Sequence, residues 1–292
     1  MWERASSVRG NDRFTARRRV RRRRVFIASC ILIVLIFGGV MYELWQPSLR
    51  ISHVQIFGAD QSLSDVATSA LEGSYFGIIP RDSTFFFPAS RIRRDIIAQH
   101  PDIAAVSVFR SGFTGLSIRI NNRAAIARWC GLAPTVFVPN PSAGHGSEEY
   151  CYVFDASGFI FAADGASETP PRATSTPVIN SAKLYGPLAG DTLEPLRATL
   201  LHAEQLPHTF DFARQVATLG SPVNAIVLRD DEVDDLLASG TRVTYVLGHE
   251  QDAYTALVSS RANMNLADGS VEYVDLRFDG KVYLKKTGEA PK

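Results

Sequence analysis

The sequence has few of the residues from which metal centres and catalytic sites are built. Its 292 residues include only three cysteines and six histidines. Neither a Gly-x-Ser-x-Gly elbow nor a phosphate-binding glycine loop occurs, which removes the usual signatures of serine hydrolases and P-loop proteins. His202 and His208 are the only near pair, and a spacing of six residues does not place both on one helical face, as an i, i+4 zinc pair requires.

One acidic run, RDDEVDD at residues 229–235, carries five carboxylates and invites comparison with a calcium site. It lacks the glycine and the terminal glutamate of an EF-hand loop, so we predict a solvated turn or the start of a helix. Cys130 has only scattered histidines to activate it as a nucleophile, and pairing with Cys151 is the simpler account. The sequence therefore predicts a protein that is not an enzyme and that binds no metal or cofactor.

Acidic residues are nearly absent from the N-terminal tail. The first 24 residues contain ten arginines against two acids, Glu3 and Asp12, whereas the rest of the chain carries 21 basic and 28 acidic residues. The remainder thus has a net charge of about −7. This charge argues against nucleic acid or anionic lipid as a ligand of the remainder, and it favours membrane topology as the role of the basic tail.

A long apolar run, residues 25–42, holds eighteen residues without a charge and reaches Trp45 if Glu43 lies among lipid headgroups. A signal peptide has an apolar core of roughly 7 to 15 residues and a small-x-small cleavage pattern, whereas a span needs about 20 apolar residues. No Ala-x-Ala follows here, and Tyr42 and Trp45 occupy the positions of an interfacial aromatic belt. The pattern predicts an uncleaved anchor with a cytoplasmic tail and about 245 residues outside. The alternative is a buried core helix preceded by a basic nucleic-acid-binding arm.

The residues after this anchor alternate between strand and helix patterns. A strand pattern at residues 51–56 is followed by a helical pattern that begins after Ser62 and stops at Gly73. A second helical pattern ends before Pro101 and has one apolar face, formed by Ile92, Ile96 and Ile97. Two strands follow, and the second alternates between polar residues and the apolar Leu116, Ile118 and Ile120. The predicted order is β-α-α-β-β.

Turn signals dominate the rest of the chain. Three Asp-Gly pairs predict turns, and the pair at 279–280, flanked by VDLRF and KVYL, predicts a β-hairpin. Leucines recur at helical spacing and predict a helix over residues 192–206, and a second helix is predicted over 252–264. The polar, proline-rich residues 165–177 predict an exposed loop.

Two cysteines, Cys130 and Cys151, fall on the side of the membrane where disulfides persist, and they bracket a polar segment. A disulfide that closes this segment is the first interpretation. Two free thiols are the alternative.

The last strand pattern predicts a sheet edge. KVYLKK alternates an apolar face with a lysine-bearing face, and a terminal strand often leaves unpaired backbone groups that can accept a partner strand. An ordinary interior hairpin strand is the alternative.

The patterns together resemble a known family. Residues 50–129 resemble a POTRA domain, and HPDIAAVSVFR followed by LSIRINNRAAIARW resembles its version in the FtsQ/DivIB cell-division family. VEYVDLRFDGKVYLKK, residues 271–286, is similar to the closing strand and hairpin of that family, and CYVFDASGFIF, residues 151–161, is similar to the start of its second domain. Members often have a proline after the arginine matched by Arg123 and an acid before it, where this chain has Ala124 and Asn122.

The resemblance implies an α+β protein with a single transmembrane helix, a POTRA domain and a mostly β second domain with covering helices. The implied segments are a cytoplasmic tail at 1–24, a transmembrane helix at 25–45, a POTRA domain at 50–122, a β domain at 123–286 and a disordered tail at 287–292. It implies a scaffold of the inner membrane at the division septum, with FtsB/FtsL-type partners and further divisome proteins bound through the POTRA domain or the tail. A POTRA-type protein of outer-membrane secretion or assembly is the alternative, although the chain is expected to end too soon for a β-barrel.

The family also receives a segment of FtsB at its C-terminal hairpin and sheet edge. Carried over by position, this implies partner contacts from Tyr273, Arg277, Phe278, Val282, Tyr283 and Leu284.

Overall fold

The computed structural model describes residues 12–132, 150–164, 182–190, 192 and 194–288. The protein is a mixed α+β chain with one apolar N-terminal helix and one large β-sheet. It divides into two compact units, one with the residues up to 100 and 105–121, the other with 101–104 and the residues from 122. The exposed loop predicted at 165–177 lies outside the described residues.

Helix α1 (Asp12–Leu44) contains the predicted membrane anchor. The most apolar 18-residue window within its segment Arg21–Leu44 has a mean hydropathy of 2.6, and no residue of that window is buried in the described chain. Within the described ranges it is the one helix long and apolar enough to cross a membrane. This supports a single span at the position predicted from the sequence.

The first unit contains a three-stranded sheet. After α1 its elements are β1 (His53–Phe57), α2 (Leu63–Leu71), β2 (Ser74–Tyr75), β3 (Ile79–Pro80), α3 (Ala89–Gln99), β4 (Ile103–Ser111) and β5 (Gly115–Asn122). The sheet order is β1-β5-β4 with β1 parallel to β5, and β2 pairs with β3 in a separate short hairpin. The strand-helix-helix-strand-strand order is present, with this hairpin inserted between the helices.

Burial in the first unit follows the predicted periodicities with one exception. The apolar residues of β5 are buried and its polar residues face outwards, as the alternation predicts. In α3, however, Ile97 is 38 % exposed, so the buried face is narrower than predicted. Ser62 precedes α2 but its side chain makes no capping hydrogen bond.

Nine strands form one sheet in the described part of the second unit. They are β6 (Ala127–Trp129), β7 (Tyr152–Phe154), β8 (Ile160–Ala163), β9 (Lys183–Tyr185), β10 (Val223–Leu228), β11 (Glu232–Leu237), β12 (Arg242–Val246), β13 (Val271–Asp275) and β14 (Tyr283–Lys286). Their order is β14-β13-β12-β11-β10-β9-β6-β7-β8. The parallel neighbours β9 and β10 are connected through α4 (Leu206–Ala217), and β12 and β13 through α5 (Glu250–Ser259), because parallel pairing needs a crossover.

The two helices of this unit cover one face of the sheet and bury its main core. Phe212 of α4 packs on Tyr245 of β12 with ring centroids 4.2 Å apart, and Leu257 of α5 is fully buried in the same cluster. An aromatic pair of this kind stabilises a core beyond the area that it buries. The opposite face of the sheet therefore carries the side chains that do not contact α4 and α5.

The helix predicted over residues 192–206 is wrong. Thr199 and Leu200 instead form isolated β-bridges, and the helix α4 begins only at Leu206. Arg197 and His202 have positive φ angles of 72° and 57°, which interrupt any helix across the leucines. The helix predicted over 252–264 is present as α5, followed by a 3-10 turn at Arg261–Asn263.

The acidic run at residues 229–235 starts as an exposed turn between β10 and β11, as predicted, but the turn covers only residues 229–231 and no helix starts there. Its second half belongs to β11, where Asp234 and Asp235 are buried. Asp234 is accommodated by an ion pair with Arg229 and by a hydrogen bond from the Thr244 hydroxyl at 2.6 Å. Arg229 and Thr244 therefore bind the Asp234 carboxylate, which the sequence pattern had predicted to be solvated.

Asp235 is fully buried, and neither carboxylate oxygen has a hydrogen-bond partner among the described residues. Burial first, and then the nearby carboxylates of Asp234 and Glu250, raise the pKa of Asp235 well above 3.8. The Asp235 carboxyl group is therefore protonated in the folded state over a pH range in which it is ionised in the unfolded state.

We expect Asp235→Asn to stabilise the protein increasingly as the pH rises. As the pH rises from the unfolded-state pKa of Asp235, near 3.8, to its higher folded-state pKa, the free energy of unfolding of the wild type falls by up to about 1.4 kcal/mol per pH unit. Urea unfolding of residues 46–292 from about pH 4 to about pH 7 measures the difference. The exposed Asp230→Asn, in the same run, is the control, and a difference that does not change with pH would contradict the prediction.

Candidate partner-binding edge

Strand β14 lies at one edge of the large sheet, as the sequence predicted for the last strand. It pairs antiparallel with β13, and among the described strands it has no neighbour on its other side. The predicted hairpin at Asp279–Gly280 is confirmed, since Lys281 N–H donates to Phe278 C=O across the turn at 3.1 Å and Gly280 has a φ of 66°. Alternate backbone N–H and C=O groups of β14 therefore point away from the sheet.

An exposed aromatic pair stands beside this edge. The rings of Phe278 and Tyr283 meet edge to face with centroids 5.3 Å apart, and the two residues are 51 % and 49 % exposed. Tyr273 lies on the same sheet face as Tyr283, two positions along the register, and the Arg242 guanidinium lies 5.7 Å from its ring. Half-exposed aromatic side chains of this kind are enriched where proteins bind partners.

Arg277 is engaged within the protein itself. Its guanidinium lies 2.7 Å from a carboxylate oxygen of Asp275 and 2.5 Å from one of Glu232, which belongs to β11. Hydrogen bonds from Arg277 hold the pKa of Asp275 below its ordinary value, and the two carboxylates raise the pKa of Arg277. This network fixes the β13–β14 connection to the sheet, and the Arg277 guanidinium also lies 5.8 Å from the Phe278 ring.

The other two predicted contact residues face the interior. Val282 packs against the main core, and Leu284 is directly opposite the buried Val274 in the register. Both are partly buried, so their side chains hold β14 on the sheet. The structure thus groups Tyr273, Arg277, Phe278 and Tyr283 on one side and places Val282 and Leu284 on the other.

Sequence reasoning missed the polar residues that support this edge. Glu232 and Asp275 bind Arg277, and the Lys285 ammonium lies 2.7 Å from the Glu272 carboxylate. Glu232 is 45 residues from Arg277 in the chain, so no local pattern relates them. The alternation in YVDLR indicates only that Asp275 and Arg277 share a face.

A disulfide joins Cys130 and Cys151. Both cysteines are buried, and they pack with Tyr185, Val227 and Leu236 on the sheet face opposite α4 and α5. The bond ties the end of β6 to the start of β7 across the intervening segment.

Comparison of the sequence with protein-family models and with curated proteins finds no match. The functional proposal therefore depends on the sequence patterns and on this geometry.

Proposed function

We propose that this chain is a membrane-anchored scaffold that binds other membrane proteins through its extracytoplasmic units. More particularly, we propose a cell-division scaffold of the FtsQ/DivIB type, which links early division proteins to an FtsB/FtsL-type pair at the septum. The observation that carries the proposal is the position of β14, an edge strand with an exposed aromatic pair beside it.

The arrangement of the first unit supports a POTRA-type assignment. It has the element order β-α-α-β-β around a sheet in which the first strand is parallel to the last, and it directly follows the span. A single span with ten arginines before it favours a cytoplasmic tail and two units outside. In this proposal the span keeps both units near the membrane.

Binding at the edge follows from backbone chemistry. A partner strand beside β14 gains main-chain hydrogen bonds, and Phe278 and Tyr283 supply apolar area that selects its side chains. Lys285 and Lys286 discourage pairing between copies of the same edge, because like charges would meet. Arg277 holds the β13–β14 connection in this conformation in the absence of a partner.

The proposal is tested by replacing Tyr283 with lysine. A lysine there keeps a favourable neighbour in Asp275, which is directly opposite, but it introduces a charge that a docked strand would bury. We expect binding of residues 46–292 to the FtsB/FtsL-type ectodomain pair of the same cell to weaken at least about tenfold. Interferometry with the immobilised pair measures the affinity.

Tyr150→Lys is the matched control, since Tyr150 is exposed and lies outside the strands. Loss of binding in Tyr283→Lys alone, with equal melting temperatures, supports the proposal. Equal binding by both variants would show that β14 is not the contact. If the wild-type protein binds no such pair and forms no septal band when fluorescently tagged, the division function itself is wrong.

A further inference from the structure

Six exposed apolar side chains of the first unit lie around the end of the span. They are Trp45, Phe76, Ile78, Phe85, Phe86 and Phe113, with exposed fractions from 48 % to 98 %, and together we call them the membrane-proximal surface. Aromatic residues in such numbers are costly to leave in water, and a cluster of them indicates an interaction surface. We infer that this surface inserts into the lipid bilayer that α1 spans, so that the first unit is docked on the membrane. The inference rests on the span that the proposed function also uses.

Hydrogen bonds bring three separate segments to the end of the span. The Trp45 indole N–H donates to Ile78 C=O at 2.9 Å, which ties the end of α1 to the β2-β3 hairpin. Thr84 donates through its backbone N–H to Leu49 C=O at 3.0 Å, and its hydroxyl also contacts Phe113 C=O at the tip of the β4-β5 hairpin. The membrane-proximal surface is therefore held at the end of α1 by the fold.

The depth of this surface follows from the helix. Phe85 and Phe86 line a groove together with Ile36 and Val40 of α1. Ile36 is eight residues before Leu44, which is about 12 Å along a helix axis. The apolar layer matched by the uncharged residues 25–42, about 27 Å of helix, includes both Ile36 and Val40 and ends before Glu43. Phe85 and Phe86, which line the groove with these residues, therefore lie at the level of the outer acyl chains.

The tip of the β2-β3 hairpin also supports insertion into the lipid bilayer. Phe76 and Gly77 have φ angles of 53° and 74°, the backbone of a tight turn in which asparagine and glycine are usual. A phenylalanine in this left-handed conformation is strained, and here its side chain is 98 % exposed. Nothing among the described residues packs on Phe76, so the fold gains nothing from this ring.

The charges at the rim fit a phospholipid surface. The Arg110 guanidinium lies 5.5 Å from the Phe85 ring, and the Arg81 guanidinium lies 5.5 Å from the Tyr75 ring. Arginines in these positions can keep their charge among lipid phosphates while aromatic rings enter the apolar layer. Glu43, in the last turn of α1, is the acid in the groove, and it lies at headgroup level. The net negative charge of the residues after the tail does not oppose this docking, because the membrane-proximal surface contacts the bilayer mainly through apolar side chains.

The test places an environment-sensitive fluorophore on the full chain in phosphatidylcholine vesicles. Free Cys30 is first changed by Cys30→Ser, and a single label is then attached at Phe76→Cys or Phe86→Cys. Phe57→Cys is the matched control, because Phe57 is also exposed (52 %) but lies four residues along β1 from the end nearest Thr114, roughly 13 Å away. The readout is quenching by nitroxide-labelled lipid.

We expect quenching of the labels at 76 and 86 to exceed quenching at 57 by at least about twofold. Phe85→Ser combined with Phe113→Ser should return the label at 76 to the level of 57. Equal quenching at 76 and 57 in vesicles that retain the protein against alkaline carbonate would overturn the docking while leaving the span intact. A blue-shifted but unquenched label would also overturn it, since a second protein copy would then cover the surface. If carbonate extracts the wild-type protein, the span and the docking fail together, whereas partner binding at β14 is measured separately.

Discussion

Arg123→Ala is expected to lower the free energy of unfolding of residues 46–292 by about 3 kcal/mol. The Arg123 guanidinium is paired with the Asp155 carboxylate, and the two side chains are only 17 % and 13 % exposed. It also donates to Pro101 C=O at 3.0 Å and lies 4.1 Å from the centre of the Phe159 ring. Alanine removes all three contacts and leaves a buried carboxylate without its cation.

The lowered pKa of Asp155 shows that the ion pair with Arg123 stabilises the folded state. Burial raises the pKa, but hydrogen bonds from Ser157, Arg123 and Phe159 outweigh it, so that the pKa of Asp155 is lowered from 3.8. A lowered folded-state pKa means that this carboxylate stabilises the fold above about pH 4, and that the contribution is lost as the pH falls through the folded-state value. Measurement near pH 7 therefore shows the full effect.

Urea unfolding monitored by tryptophan fluorescence measures the Arg123 effect. Arg123→Lys should recover part of the loss, because lysine keeps the charge but not the planar fork or the ring contact. Arg214→Ala removes an ion pair with Asp211 in which both side chains are more than half exposed, so it should cost less than about 1 kcal/mol. Equal losses from Arg123→Ala and Arg214→Ala would mean that burial of the Arg123 pair contributes nothing.

Local periodicity was sufficient for much of the fold. The eighteen uncharged residues at 25–42 predicted the span, and the alternation of Leu116, Ile118 and Ile120 predicted a strand with one buried face. The Asp279–Gly280 turn predicted the final hairpin, because few other residues tolerate positive φ. Each of these features is decided by contacts within a few residues.

Features decided by distant contacts were missed or misplaced. The leucines around position 200 have helical spacing, yet Leu188 and Phe159 pair with Leu200 and Thr199 as β-bridges. β9 lies between β6 and β10 through two parallel pairings, which no local pattern predicts. Asp234 and Asp235 were expected in water because a sequence does not show that Thr244 will bind the Asp234 carboxylate or that the sheet will bury Asp235.

The candidate site was predicted in outline and refined by the sheet. The alternation in KVYLKK predicted an edge strand with two faces, but only the register with β13 shows that Leu284 faces the core and Tyr283 does not. The membrane-proximal surface had no sequence signal, since Phe76, Phe86 and Phe113 are far apart in the chain. Tertiary structure brings them together at the end of α1.

Removing the disulfide should also destabilise the protein by about 3 kcal/mol. Cys130 and Cys151 are 21 residues apart, and opening a loop of this size returns that much chain entropy to the unfolded state. The double variant Cys130→Ala, Cys151→Ala in residues 46–292 is compared with wild type by urea unfolding. Since Cys30 is outside this segment, no other thiol is present.

A reducing agent separates the effect of the bond from that of the cysteine side chains. Both cysteines are buried beside Tyr185 and Val227, so alanine also leaves small gaps, which reduction of the wild-type protein does not. We expect reduction to destabilise the wild type by nearly as much as the double variant and to leave the double variant unchanged. A loss on reduction of less than about 1 kcal/mol would mean that the strand pairing between β6 and β7 closes this loop without the bond. In the sheet, β6 is separated from β14 by β9 and four further strands. We therefore expect the reduced protein to bind partners more weakly only at temperatures at which it starts to unfold.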